Sequence, residues 1–136
     1  MSRRSRAREV ALQILFEDDV NPRDSLPDVE SFLAARIKND ELQKFALSLI
    51  QGVRRNQGEL DEMLEKTADN WSLARMAATD RNVLRMHAFE MLFTETPHRV
   101  AINEAVELAK RFGSANSAPF VNGILDKLIP TSETGH

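Results

Sequence analysis

Two apolar stripes at helical spacing, separated by a short polar break, dominate the stretch from Val100 to Leu128. The first is Ala101, Ala105, Leu108, Ala109 and Phe112; the second is Phe120, Val121, Ile124, Leu125 and Leu128. Steps of three and four place each set on one face of a helix. Gly113 stands where a left-handed residue would end the first helix. Ser117, followed by Pro119, suits an N-cap and first turn for the second. A helical hairpin with two faces to bury needs further helices as packing partners.

The rest of the chain supplies them. Residues 3–18 predict a helix whose broad apolar face runs through Val10, Ala11, Leu12, Ile14, Leu15 and Phe16, with Asp18 on the same row as Val10 and Ile14. Asn21-Pro22 breaks it. A second helix is expected over about Pro27–Ile37, with Val29, Phe32, Leu33 and Ile37 inward. Asn39-Asp40 caps a third, carrying Leu42, Phe45, Ala46, Leu49, Ile50 and Val53 and fading at the polar run Arg54–Gly58. A fourth, near Glu59–Thr67, shows Leu60, Met63 and Leu64 on one face. The lone tryptophan, Trp71, is expected to seal the joint that follows. The next helix runs from Ala77 or Thr79 to Phe93, with Thr79 or Asp80 as its cap and Val83, Leu84, Ala88, Met91 and Leu92 inward. The expectation is an all-α protein of about seven helices and no strands, a single domain over 1–130 with a polar tail at 131–136.

Composition narrows the chemistry. Without cysteine there can be no disulfide, thiolate metal site or cysteine nucleophile. His87, His98 and His136 have no zinc-ligand spacing, so neither metal nor cofactor is expected. Phosphate-loop, dinucleotide, nucleophile-elbow and zinc-protease motifs are missing, and no enzyme is expected. Glu104, Glu107 and Asp126 could form an acid pair, but Arg111 follows Glu107 at the ion-pairing spacing i,i+4, which favours a solvated face. No apolar run reaches a membrane span. The arginine- and serine-rich start resembles a transit peptide. However, Glu9, Glu17, Asp18 and Asp19 continue one helical pattern, so it reads as part of a folded cytoplasmic protein.

Charge is unevenly spread. The net charge is −3, yet residues 1–8 hold four arginines and no acid, leaving the remainder at −7. Arg3, Arg4, Arg6 and Arg8 crowd the positive end of a helix dipole, an arrangement that costs stability unless something offsets it. A solvated, frayed terminus and a phosphate-binding cluster both fit. In the hairpin, Asn122-Gly123 lies inside a helical run, where Gly costs about 1 kcal/mol relative to Ala. Close packing across Gly123 is the expected reason. Phe120, beside Asn116, Ser117 and Pro119, suits either the core or the stacking of a base next to free backbone N–H groups.

RVAINEAVELAKRFG and FVNGILDKL, with RARE-ALQILF at 6–16 and DRNVLRMHAFEML at 80–92, resemble the NusB family of bacterial transcription antitermination factors across essentially the whole chain. The resemblance implies two small three-helix bundles. It also implies binding of single-stranded boxA RNA together with NusE, a ribosomal small-subunit protein, and entry into the Nus complex on RNA polymerase. By match, RNA would meet Arg3, Arg4, Arg6 and Arg8 with Asn116, Ser117 and Phe120, and the partner protein would meet Phe16 and Asp80. Asn116 replaces a frequent acid, Pro119 a frequent basic or polar residue, and Phe16 a frequent tyrosine. The first change favours phosphate, the second opposes it, and the third removes a hydroxyl. A NusB-like domain also occurs fused to RNA cytosine methyltransferases, but the stand-alone factor is expected here. The competing class is a protein-binding helical scaffold, or a homodimer that hides the RNA face. For one RNA to meet both clusters, the starts of the first and last helices must lie on the same side.

Overall fold

The structure, a computed structural model, describes residues 3–21, 28–69 and 71–130. Among them are six α-helices and no strand: α1 Arg3–Val20, α2 Val29–Arg36, α3 Asp40–Thr67, α4 Ala78–Phe93, α5 His98–Phe112 and α6 Ser117–Asp126, with one 3₁₀ turn at Leu73–Arg75 before α4. Helices α1, α2 and α3 pack on one another, as do α4, α5 and α6, and α4 joins the two sets by lying against α1 and α3. The all-α, two-bundle expectation holds. The tail at 131–136, Pro22 and Pro27 lie outside the described residues.

The expected third and fourth helices are one. The polar run Arg54–Gly58 is not a break but the solvent side of a 28-residue helix. Ala46, Leu49, Ile50, Val53, Leu60 and Leu64 stay in phase through it and are all buried. Arg54 is held by a two-pronged pair with Asp18 of α1, both contacts at 2.7 Å. Asn56 turns back to donate to the Gly52 carbonyl. Asn39 caps the start as expected, its side chain accepting from Leu42 N–H at 3.0 Å.

Helix α4 is the axis of the molecule. Every residue from Asn82 to Met91 is buried, including Arg85, His87 and Glu90. A helix covered on all sides cannot be amphipathic, and its polar groups need internal partners. Arg85 donates to both carboxylate oxygens of Asp61 at 2.7 and 2.9 Å. Arg81 and Asn82 both donate to Asp19 near the end of α1, at 2.7 and 2.9 Å. The expected cap by Thr79 or Asp80 is not made. Helix α4 starts at Ala78 with Ala77 in the cap position and no side-chain bond, and Asp80 sits in the first turn, where its charge still suits the dipole.

Deep in the core, Glu90 accepts from Arg8 Nε at 2.8 Å and from its Nη2, and Thr96 Oγ1 donates to it at 2.9 Å. Burial alone would raise the Glu90 pKa, but the hydrogen bond and charge of Arg8 outweigh it and hold the group below its usual range. His87 donates from Nδ1 to the Val83 carbonyl at 2.8 Å, while its Nε2 is buried without a partner. Burial pushes its pKa below 6.5, so the ring is neutral in the core.

Two predictions follow from this packing. An added Cβ at Gly52 would come within 2.1 Å of the Phe89 ring, which is itself stacked on Phe93 at 5.6 Å. Gly52→Ala should therefore lower stability by about 1–3 kcal/mol despite its better helix propensity, read from urea unfolding. In the pH profile, the core groups His87 and Glu90 have folded pKa values below their unfolded ones, so their contributions are complete at high pH and disappear as pH falls. The urea midpoint should begin to drop below about pH 6.5, as unfolded histidine takes up a proton that folded His87 refuses. It should drop further below about 4.5, where unfolded glutamate protonates ahead of Glu90. His87→Gln should flatten only the first phase.

Candidate nucleic-acid interface

The four N-terminal arginines have different fates. Arg3, Arg4 and Arg6 are exposed, whereas Arg8 is only 2% exposed. Arg8 shares a helix face with Ala11, Leu12 and Leu15, so the periodicity that buries them buries it. Its guanidinium is committed to Glu90 and lies 3.7 Å from Glu104. The expected direct role for Arg8 in holding phosphate is therefore corrected: it is a structural charge. Arg4 lies over the Phe45 ring, 4.4 Å from its centroid, which offsets part of the cost of a cation at the positive helix end. Arg3, Arg4 and Arg8 line a cleft of about 690 Å³ together with Phe45, Thr96 and Val100.

The second cluster lies at the other end of α5. Asn116 is exposed and occupies the cap position of α6, with no side-chain cap bond. Ser117 is buried, and its Oγ accepts from Ser114 N–H at 2.9 Å, holding the α5–α6 loop closed. It is the first residue of α6 rather than its cap, and it offers no open hydroxyl to a ligand. Gly113 is extended, with φ −96°, and not left-handed as expected. Space is the reason for glycine, since an added Cβ would fall 2.4 Å from Ser117 Oγ. Phe120 is half-buried, its ring edge-on to Trp71 with centroids 5.2 Å apart. Trp71 does not seal a joint: 55% of it is exposed.

The starts of α1 and α6 are not neighbours. Ser5 donates to Glu104 at 2.7 Å and Val100 lines the arginine cleft, so α1 begins beside the first turns of α5. Helix α6 begins beyond Phe112, on the order of 20 Å farther along at 1.5 Å per residue. Ion pairs span this gap. Glu9 binds Arg6 at 3.4 Å and Arg111 at 3.0 Å, setting Arg111 between the arginine cluster and the α6 start. In sequence Arg111 reads as the i,i+4 partner of Glu107, which hides its pairing with Glu9. Glu107 instead pairs with Lys110 at 3.6 Å. The supposed acid pair dissolves similarly, with Glu104 held by Ser5 and Asp126 by Arg99 at 3.0 Å.

Phe16 lines a separate groove of about 490 Å³ with Leu12, Gln13, Phe32, Thr79 and Phe112. Asp80 is the residue after Thr79, and its Oδ1 is buried without a hydrogen-bond partner.

This helical order and the α5–α6 hairpin meet their counterparts in known proteins. A family model described as the NusB family matches residues 5–130. The chain belongs to the NusB family. The transcription antitermination protein NusB of Anaeromyxobacter dehalogenans is 45% identical over 139 residues, covering 98% of this chain and 97% of that protein. NusB of Desulfatibacillum aliphaticivorans is 43% identical over 129 residues, covering 94% and 90%. The solved structure of T. maritima NusB superposes with a TM-score of 0.83 at 33% identity, covering 98% of this chain and 97% of that one. A crystal structure of antitermination factors NusB and NusE in complex with dsRNA gives 0.79 at 28% identity, covering 93% and 96%. NusB proteins are antitermination factors, not enzymes.

Gly123 faces open space, with nothing within 4 Å of an added Cβ, and Asn122 is exposed. Helix packing does not explain the pair. Gly123→Ala should accordingly raise stability by about 0.5–1 kcal/mol, measured by thermal unfolding, because the helix gains propensity and nothing is displaced.

Proposed function

We propose that this NusB-family chain binds single-stranded boxA RNA of ribosomal RNA operons together with a NusE-type ribosomal small-subunit protein, and in that form joins the Nus complex on RNA polymerase. The observation that carries the proposal is the line of exposed cations, Arg3, Arg4, Arg6 and Arg111, leading toward Asn116 and Phe120 at the start of α6. Cations track a backbone and an aromatic ring stacks a base, the usual division of labour in single-strand binding. A stretch of several nucleotides bridges the two ends, so they need not be adjacent. The related NusB–NusE structure with dsRNA supports both partner classes. Phe16 and Asp80, on and beside the apolar groove, are the residues assigned to the NusE-type partner. Asn116 in place of a frequent acid removes a charge that would repel phosphate.

With about four phosphates neutralised, log K should fall by roughly 3 per decade of salt. Arg4→Glu with Arg6→Glu should abolish binding of labelled boxA RNA in an anisotropy assay while the helical circular dichroism signal persists. A scrambled strand, a duplex of the same sequence, and each of these with the NusE-type protein form the comparison set. Unchanged RNA binding by the double variant would reject the assignment. A complex with the NusE-type protein to which RNA adds nothing would leave a protein scaffold. Arg8→Glu is no substitute, since it would set two carboxylates against each other in the core.

A further inference from the structure

Trp71 is the most exposed large apolar side chain among the described residues. Local backbone geometry puts it outside. Helix α3 stops at Ala68, Asp69 takes the left-handed region with φ 44°, and Trp71 N–H donates back to the Ala68 carbonyl at 3.0 Å. The indole then meets Phe120 in a T-shaped contact at 72°. Such a contact uses one edge and one face, so ring faces remain for another planar group.

The surroundings suit a nucleic acid strand better than a protein surface. Asn116, Phe120, Gly123 and Lys127 follow steps of four, three and four and share one face of α6. Gly123 leaves that face clear beside Phe120 at a cost to the helix, as a position approached closely by a ligand would. Lys127 reaches Asp69 at 3.6 Å, both largely exposed, which offsets one of the two acids that share a pocket with the indole. Arg75 flanks Trp71 across a shallow pocket of about 410 Å³ that also includes Glu65. One Glu65 oxygen is already engaged by Leu73 N–H at 3.0 Å. An apolar protein partner would find charged and polar neighbours here, whereas stacked bases with an anionic backbone need this mixture.

We propose that Trp71 and Phe120 together form a two-ring platform that takes one unpaired base on each ring, the two bases splayed from each other as the rings are, with Lys127 and Arg75 facing the backbone. The platform extends the RNA track past α6 toward the end of α3. It rests on the RNA-binding reading above and adds to it a site that the N-terminal arginines do not reach.

Trp71 is the lone tryptophan and the chain has no tyrosine, so selectively excited emission reports on this residue alone. Unlabelled single-stranded boxA RNA should quench that emission along the same isotherm that anisotropy records with labelled RNA. Trp71→Ala should weaken binding about tenfold, some 1.4 kcal/mol, with the salt slope unchanged, because stacking is not electrostatic. Trp71→Phe should restore most of the loss. Binding by anisotropy with unaltered Trp71 emission, or Trp71→Ala binding as tightly as the parent, would overturn the platform and leave the RNA reading intact. Failure of the parent protein to bind any RNA would overturn both. If Trp71→Ala loses its helical signal, the emission titration of the unaltered protein decides.

Discussion

The buried pair between Arg8 and Glu90 fixes the relation between the helix that carries the cations and the helix that organises the fold. Two charges taken out of water are expensive, and removing either partner of such a pair typically costs about 3–5 kcal/mol because the other is stranded. Here the pair is closed by further bonds: Thr96 donates to Glu90, and Ser5 and Arg8 both approach Glu104. Geometry, more than net stability, is what this cluster provides. Arg8 ties α1 to Glu90 of α4, while Arg4 lies over Phe45 of α3 and Arg3 and Arg6 stay outside.

At its far end α1 is anchored in the same way. Asp18 and Asp19 stand near the negative pole of the helix dipole, where acids are unfavourable, and arginines from other helices compensate. Arg54 comes from α3, and Arg81 and Arg85 come from α4. Thus α1 carries cations at its positive pole and acids at its negative pole, and both mismatches are resolved by tertiary partners. A helix with this charge order would be poorly stable alone. Its stability is borrowed from α3 and α4, which supply its apolar packing and its ionic partners.

Much of this was legible in sequence because helical periodicity is a strong signal over long segments. The hairpin stripes, except for Phe112, which closes the first stripe in sequence but is exposed, the Asn39 cap and the α4 boundary near Phe93 all follow from spacing and local chemistry. The merged α3 was misjudged because five polar residues look the same whether they form a loop or the wet side of a continuing helix. The phase relation from Val53 to Leu60 distinguishes the two. Phase separates Arg8, in register with Ala11 and Leu15, from Arg6, but not from Arg3 or Arg4: Arg3 is in register with Ala7 and Val10, and Arg4 with Arg8, and both stay exposed in the first turn of α1. Gly113 and Ser117 were identified as punctuation, but their mechanism, mutual steric fit across the loop, depends on a distance that no residue pattern encodes. Arg111 was hidden for a related reason. A local i,i+4 partner is visible in sequence, whereas Glu9, some hundred residues away, is not.

The separation of the N-terminal arginines from Phe120 bears on how such a surface works in a chain with net charge −3. Long-range attraction of a polyanion to the whole molecule is absent, and at physiological ionic strength the field of the arginines fades over roughly 8 Å. In the proposed RNA complex, contacts made by Arg3, Arg4, Arg6 and Arg111 would therefore be local and decline with salt. Contacts proposed for Phe120 would lose little to salt, because base stacking depends on dispersion and desolvation more than on charge. An RNA that engages both ends is held by two terms of different origin about 20 Å apart along α5. Neither end is strong alone. Joining them by one strand makes the second contact intramolecular, so a rigid α5, clamped by Ser5–Glu104 at one end and Arg111–Glu9 at the other, matters as much as any side chain that touches RNA.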